Sequence, residues 1–108
     1  ERIANESNPG QFLQIKVNRN DTPLLRRPIS INEIKQEENA ITIYYKVIGK
    51  GTKLLSDIKV GEKISVIGPL GTGFETNYKG KNIAIVGGGI GLAPMIELGK
   101  SLNIENNI

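Results

Sequence analysis

The stretch Ile41–Val47 does most to narrow the folds open to this chain. Ile41, Ile43, Tyr45 and Val47 alternate with Thr42, Tyr44 and Lys46. A side-chain period of two, rich in β-branched residues, predicts a half-buried strand with one apolar and one polar face. Leu13, Ile15 and Val17 repeat the pattern against Gln14 and Lys16. Further strands are expected over Leu24–Ile31 and at Ile64, Val66 and Ile67. Turn and loop signals separate them. These are Asn8-Pro9-Gly10, the polar run Asn18–Pro23, the polar and acidic run Asn32–Asn39, Val60-Gly61-Glu62-Lys63, and the glycine-punctuated Gly68–Phe74. Between the strands, Thr52 is placed to cap a short helix running through Leu55, with Gly51 just ahead of it.

Beyond Tyr78-Lys79-Gly80-Lys81-Asn82, which reads as a linker, the pattern changes. Ile83-Ala84-Ile85-Val86 is a continuous apolar run, the mark of a strand covered on both faces. Gly87-Gly88-Gly89-Ile90-Gly91 follows, and then Leu92, Met95, Ile96, Leu98, Gly99 and Leu102 at helical spacing. Strand, glycine-rich turn and helix open a nucleotide-binding α/β unit. The fingerprint is irregular: Gly87-x-Gly89 lacks a third glycine at Leu92, and Gly89-x-Gly91 leads to Pro94. A proline is tolerated in the first helical turn. One strand and one helix do not make a doubly wound sheet, and the acidic ribose-binding residue expected about 20 positions on would fall past Ile108. The expected division is a β domain over 1–78, a linker at 79–82, and the truncated start of an α/β domain over 83–108.

Composition sets limits on the chemistry. A chain of 108 residues fits one main domain. There is no Cys and no His, which removes Cys-nucleophile, Ser-His and most zinc chemistry, and any Cys-ligated iron–sulfur cluster within this chain. Net charge is +3, and the cations are spread along the chain among only 3 Tyr and 2 Phe, so no basic stripe with interleaved aromatics points to nucleic acid. No apolar run reaches the roughly 20 residues of a membrane span, and Glu1–Glu6 has no apolar core of a leader. The expected location is the cytoplasm, with no membrane partner.

Within the second predicted strand, Arg26-Arg27-Pro28-Ile29-Ser30-Ile31 is chemically distinctive. Pro28 fixes its own φ and pushes Arg27 towards an extended conformation. Arg27 offers five donors in a rigid fork suited to phosphate, and Ser30 a hydroxyl that donates and accepts. A stiff strand of this kind can hold a phosphate at one end and a polar ring atom at the other. Arg26 is read as a surface or interface charge.

This Arg-x-x-Ser strand, with Gly68-Pro69-Leu70-Gly71-Thr72-Gly73-Phe74 and Gly87-Gly88-Gly89-Ile90-Gly91 after it, resembles the ferredoxin-reductase-like flavoproteins. The wording is most similar to the electron-transfer subunits of the NAD-linked bacterial dihydroorotate dehydrogenases, from Pro9 to Leu102. The resemblance implies a mainly β fold: an antiparallel Greek-key FAD-binding barrel, short of strand material at its amino end, followed by the first strand–loop–helix of an NAD-binding domain. It implies FAD as cofactor, NAD(H) as substrate, and a [2Fe-2S] cluster on cysteines beyond Ile108. Hydride would pass between NAD(H) and flavin N5, and electrons through the cluster to or from an FMN-containing catalytic partner. That partner converts dihydroorotate to orotate in pyrimidine biosynthesis, in a heterotetramer.

By the same resemblance Arg27 binds the flavin pyrophosphate, and Pro28 and Ile29 line the flavin. Ile29 gives an aliphatic contact where many relatives have an aromatic. Ser30 lies near N5, and Tyr44, Tyr45 and Lys46 form a second flavin-contacting segment in which Tyr45 is the core residue. Gly51 and Thr52 match the pyrophosphate-binding helix start, and Gly88, Gly89 and Gly91 the nicotinamide-nucleotide loop. No side chain stands out as a general acid, base or nucleophile. The chain by itself is expected not to oxidise NADH and to self-associate through residues 83–102. Other readings are a reductase subunit of a hydrogenase, sulfide dehydrogenase or ferredoxin:NADP system, and a non-redox β-barrel interaction module.

Overall fold

A computed structural model describes residues 2–17 and 25–106. The expected loop Asn18–Pro23 and the first residue of the predicted strand at Leu24 lie outside them. Eight elements follow in order: α1 (Arg2–Glu6), β1 (Phe12–Ile15), β2 (Arg27–Lys35), β3 (Ala40–Ile43), α2 (Lys50–Ser56), β4 (Val66–Leu70), a 3-10 turn (Gly89–Leu92) and α3 (Met95–Asn106). The four strands form one antiparallel sheet in the order β3-β2-β1-β4. Three consecutive strands lie side by side and the fourth returns beside the first, which is the Greek-key connection.

Side-chain alternation builds the core. Leu13, Ile15 and Val17 turn inward from the first strand and its end, and Ile29 and Ile31 from β2. Leu55 of α2 closes over them, with Ile41, Ile43, Tyr45 and Val66 at the margin. Ile15 and Ile31 are the largest side chains to be fully enclosed. Replacing a buried Ile by Ala removes its transfer energy and leaves a cavity, typically at a cost of about 2–5 kcal/mol. Ile31→Ala is therefore expected to lower the urea midpoint by that equivalent, while Ile67→Ala, at a site 49% exposed, changes it little.

Three strands differ from expectation. β4 begins at Val66, not Ile64, and runs on through Gly68-Pro69-Leu70, which the glycine and proline mark as loop. β2 runs on to Lys35 through what reads as a polar connection. The reason is an irregularity in its pairing with β3: Ile31 faces Ile43, but Glu33 then faces Thr42 and Ile34 faces Ile41. The extra residue shifts the period, so Ile34 packs against the core instead of Glu33, and the alternation is hidden. The chain turns at Gln36–Asn39, where Asn39 takes a positive φ of 54° and donates its N–H to Gln36 O.

β3, by contrast, stops at Ile43 and not Val47. Tyr45 still packs at the core margin, while Val47 is 49% exposed. β2 and β3 pair from Lys35↔Ala40 to Ile31↔Ile43 and no further. Arg27–Ser30 continue on β2 against β1, from Ile15↔Arg27 to Phe12↔Ser30. Their other edge is thus left facing Tyr44–Ile48.

Ile83–Val86 forms no ladder among the described residues, and Val86 is 90% exposed. The expected doubly covered strand is absent as a paired element. The helix after it is present but begins at Met95, behind the 3-10 turn, and docks on β2. The loop after β4 is tied to the Pro9–Gln11 turn: Phe74 N–H donates to Pro9 O at 2.8 Å, and Gln11 Nε2 to Gly71 O at 2.9 Å. Gly10 has φ +92°, and a Cβ there would stand 2.6 Å from the Phe74 ring, so the turn admits glycine alone.

Candidate flavin site

A cavity of about 580 Å³ opens where β2 and β3 part. One wall is Arg27, Pro28, Ile29 and Ser30, and the opposite wall is Tyr44, Tyr45 and Lys46. The start of α2, Gly49–Thr52, closes one end, and Ile90, Gly91 and Ala93 approach from the glycine-rich turn. Ten of the twelve residues singled out in the sequence therefore meet in one place, and Gly88 and Gly89 do not line it.

The local causes can be followed residue by residue. Pro28 is exposed and the neighbouring Ile29 and Ile31 are buried, as an extended strand requires. Ile29, at 8% exposure, belongs to the core and also lines the cavity. Ser30 is half-buried on the opposite face of the strand, and Tyr44 is 58% exposed. Arg27 reaches across to α2. A Cβ on Gly51 would overlap its Nε and stand 3.0 Å from Cζ, so the guanidinium rests on bare backbone. Its Nη1 also donates to Leu25 O at 3.2 Å.

Thr52 is one residue set apart from its expected role. Gly49, not Thr52, is the N-cap, and Thr52 occupies the third helical position. Its Oγ1 accepts the N–H of Ile48 at 3.0 Å and of Gly49 at 3.1 Å, the backward half of a capping box. Lys53 N–H takes Gly49 O as the first helical bond. The N–H groups of Lys50, Gly51 and Thr52 thus precede the helical ladder and have no partner within it.

Charge is one-sided here. Arg27, Lys46 and Lys50 line the cavity, and no carboxylate does. Such a lining favours an anion, and the tyrosines, Ile48 and Ile90 offer it apolar surface. Another cavity, of about 410 Å³, mixes Lys16, Asp57, Glu62 and Lys63 beyond the far end of α2 and holds none of the singled-out residues. Arg26, read as a surface or interface charge, instead clamps Ser65: Nη1 donates to its carbonyl and Nη2 to its hydroxyl, both at 2.8 Å. Sequence reasoning also missed Ile48, Gly49, Lys50, Ile90 and Ala93. Only Gly49, a glycine just ahead of a helix start, carried a local signal.

Behind the cavity, α3 is fastened to β2. Asn32 Nδ2 donates to Ala93 O at 2.6 Å, Ile34 N–H donates to Glu97 Oε2 at 2.8 Å, and Lys100 pairs with Glu33. The hydrogen bond from Lys100 holds the Glu33 carboxyl below its ordinary 4.5 and the Lys100 ammonium above its ordinary 10.5. The lowered Glu33 stabilises the fold above 4.5, and that contribution fades as pH falls through its folded value. The raised Lys100 stabilises below 10.5 and fades as pH rises through its own. The melting-temperature difference between the natural chain and Glu33→Gln should therefore be small but constant from about pH 5.5 to 9.5 and vanish in acid, since exposed pairs contribute little.

With this geometry, the chain belongs to the oxidoreductase FAD-binding domain family, whose model matches residues 5–74. Among curated proteins it is 53% identical over 95 residues to the dihydroorotate dehydrogenase B (NAD(+)) electron transfer subunit of Bacillus pumilus (strain SAFR-032), covering 86% of this chain and 37% of that protein. It is 46% identical over 97 residues to the same-named subunit of Fusobacterium nucleatum, covering 88% and 38%. For that of Enterococcus faecalis (strain ATCC 47077 / OG1RF) the figures are 47% over 105 residues, 95% and 40%. The chain thus spans under half the length of the relatives it matches. Among solved structures, a chain from an NADH-dependent reduced ferredoxin-NADP oxidoreductase, described for flavin-based electron bifurcation, superposes with a TM-score of 0.83. It is 36% identical and covers 96% of this chain and 37% of that one.

Proposed function

We propose that this chain is the flavin-holding part of a dihydroorotate dehydrogenase electron-transfer subunit, passing electrons between NAD(H) and a catalytic partner. The observation that carries this reading is the cavity between β2 and β3. It gathers three cations, no carboxylate and two tyrosines around the Arg27–Ser30 strand. FAD fits that donor set. Arg27 and the amides of Lys50, Gly51 and Thr52 would hold its diphosphate, Ser30 would bond the polar edge of the ring, and Tyr44, Tyr45 and Lys46 would flank it. Bound there, FAD supplies hydride acceptance and single-electron release. The chain's own part is to bind, orient and shield.

The boundaries proposed are the flavin domain over 1–78, the linker at 79–82, and the start of an NAD-binding unit from 83, which includes Gly88, Gly89 and Gly91. The family match ending at residue 74 agrees with the first. The relatives' names support an assembly with a catalytic subunit, and we extend this to an FMN-containing partner, a [2Fe-2S] relay outside residues 1–108 and a cytoplasmic setting. No helix among the described residues is long and apolar enough to cross a membrane. The exposed Val86, Ile90, Leu92 and Ile96 make self-association the expected behaviour of the isolated chain. The test is to purify the natural protein with its co-purifying partner and assay dihydroorotate-dependent reduction of NAD+. Turnover that needs both components supports the reading. A flavin-loaded protein that instead exchanges electrons only with ferredoxin or sulfide would replace it by the related reductase reading.

A further inference from the structure

β2 does two things in succession. Its first four residues line the cavity, and the next four hold α3. The strand can do the second because β1 runs out. Pairing with β1 ends at Phe12↔Ser30, and Gln11 O takes the Ile31 N–H just beyond it. Past that point no strand among the described residues lies beside that edge of β2, and an uncovered edge N–H needs an acceptor. The irregularity after Ile31 resets which amides face that edge, and Glu97 supplies the acceptor for Ile34. Its carboxylate makes the bond charge-assisted, and it sits in the first turn of α3, where a negative charge is favoured.

Asn32 shares a strand face with Ser30, two residues on. Its amide reaches the carbonyl of Ala93, which is 2% exposed and joins the 3-10 turn to α3. Ala93 also lines the cavity with Gly91 and Ile90. One side chain thus links the strand that carries Ser30 to the turn that faces it across the cavity.

We propose that Asn32 and Glu97 are positioning residues: together they hold the 89–93 turn at a fixed separation from the Arg27–Ser30 strand. On the FAD and NAD(H) reading above, on which this rests, that separation sets how a nicotinamide approaches the flavin. The two bonds anchor the turn through its carbonyl end and through the first turn of the helix that follows. Neither Asn32 nor Glu97 lines the cavity itself.

The test uses the natural full-length protein and four forms of it: unaltered, Asn32→Asp, Glu97→Ala and Glu97→Gln. Asn32→Asp has the same shape but turns an acceptor toward the Ala93 carbonyl. Glu97→Gln keeps an acceptor oxygen for Ile34, and Glu97→Ala does not. Hydrogen exchange of the 89–93 amides and stopped-flow flavin reduction by NADH are read together with flavin content per chain. Asn32→Asp and Glu97→Ala are expected to speed exchange about tenfold. They should slow flavin reduction at least about tenfold at saturating NADH, with flavin content unchanged. Glu97→Gln should restore both. Unaltered exchange and reduction in Asn32→Asp and Glu97→Ala would overturn the proposal, as would a Glu97→Gln protein as impaired as Glu97→Ala. If Asn32→Asp fails to fold, the Glu97 pair decides. If the unaltered protein carries no flavin, the FAD reading fails, and the exchange comparison alone supports or overturns the positioning role.

Discussion

Arg27→Ala is expected to weaken FAD binding by at least about tenfold, and Arg26→Ala by less than about threefold, since a hydrogen bond to a charged group contributes about 1.5–3 kcal/mol. The two arginines are adjacent in sequence but their surroundings differ. Arg27 lies on the bare backbone of Gly51 and lines the cavity beside Lys46 and Lys50. Arg26 is engaged by Ser65, just ahead of β4, and lines no part of the cavity. Removing it should loosen the approach to β4, seen as a lower melting temperature, without removing a ligand contact. Titration of apo-protein with FAD, followed by flavin fluorescence, separates the two. Equal losses at both positions would reject the assignment of Arg27.

Gly51→Ala should separate folding from binding. Ala is favoured over Gly within a helix by about 0.8–1.0 kcal/mol, so α2 alone would gain from the change. A methyl group at Gly51 occupies the space of the Arg27 Nε, however, and the guanidinium must leave. FAD affinity is expected to fall about tenfold, as for loss of the Arg27 bond itself, while the thermal midpoint holds or rises. The double variant with Arg27→Ala should bind no worse than Arg27→Ala alone, because both changes remove one interaction. Isothermal titration of the three variants checks this, and additive losses would show that Gly51 acts by another route.

Much of the lining of the candidate site was legible because its signals are short-range. Pro28 stiffens the residues around it, the alternation at Leu13–Val17 and Ile41–Tyr45 survives in the core, and the Gly51-Thr52 pair signals a short helix, although its N-cap is Gly49, three residues before Thr52. What was hidden depends on partners distant in sequence. The irregularity between Ile31 and Glu33 breaks the period of two, so the second half of β2 read as a connection. The parting of β3 from β2 at Tyr44 follows from where the ladder ends, and the alternation up to Val47 gives no sign of it. Asn32 and Glu97 look like ordinary surface residues, since their partners lie 61 and 63 positions away. Ile83–Val86 erred in the other direction: its apolar character suggests a strand covered on both faces, yet no described strand pairs with it and Val86 is 90% exposed.

The most direct test of the account is the identity of the flavin. The natural protein should purify yellow, and heat should release the pigment without covalent cleavage. Chromatography of the supernatant is expected to show FAD, because on the proposed reading Arg27 and the amides of Lys50, Gly51 and Thr52 would provide separate contacts for a diphosphate. FMN alone, or a colourless protein that takes up no FAD on titration, would contradict it.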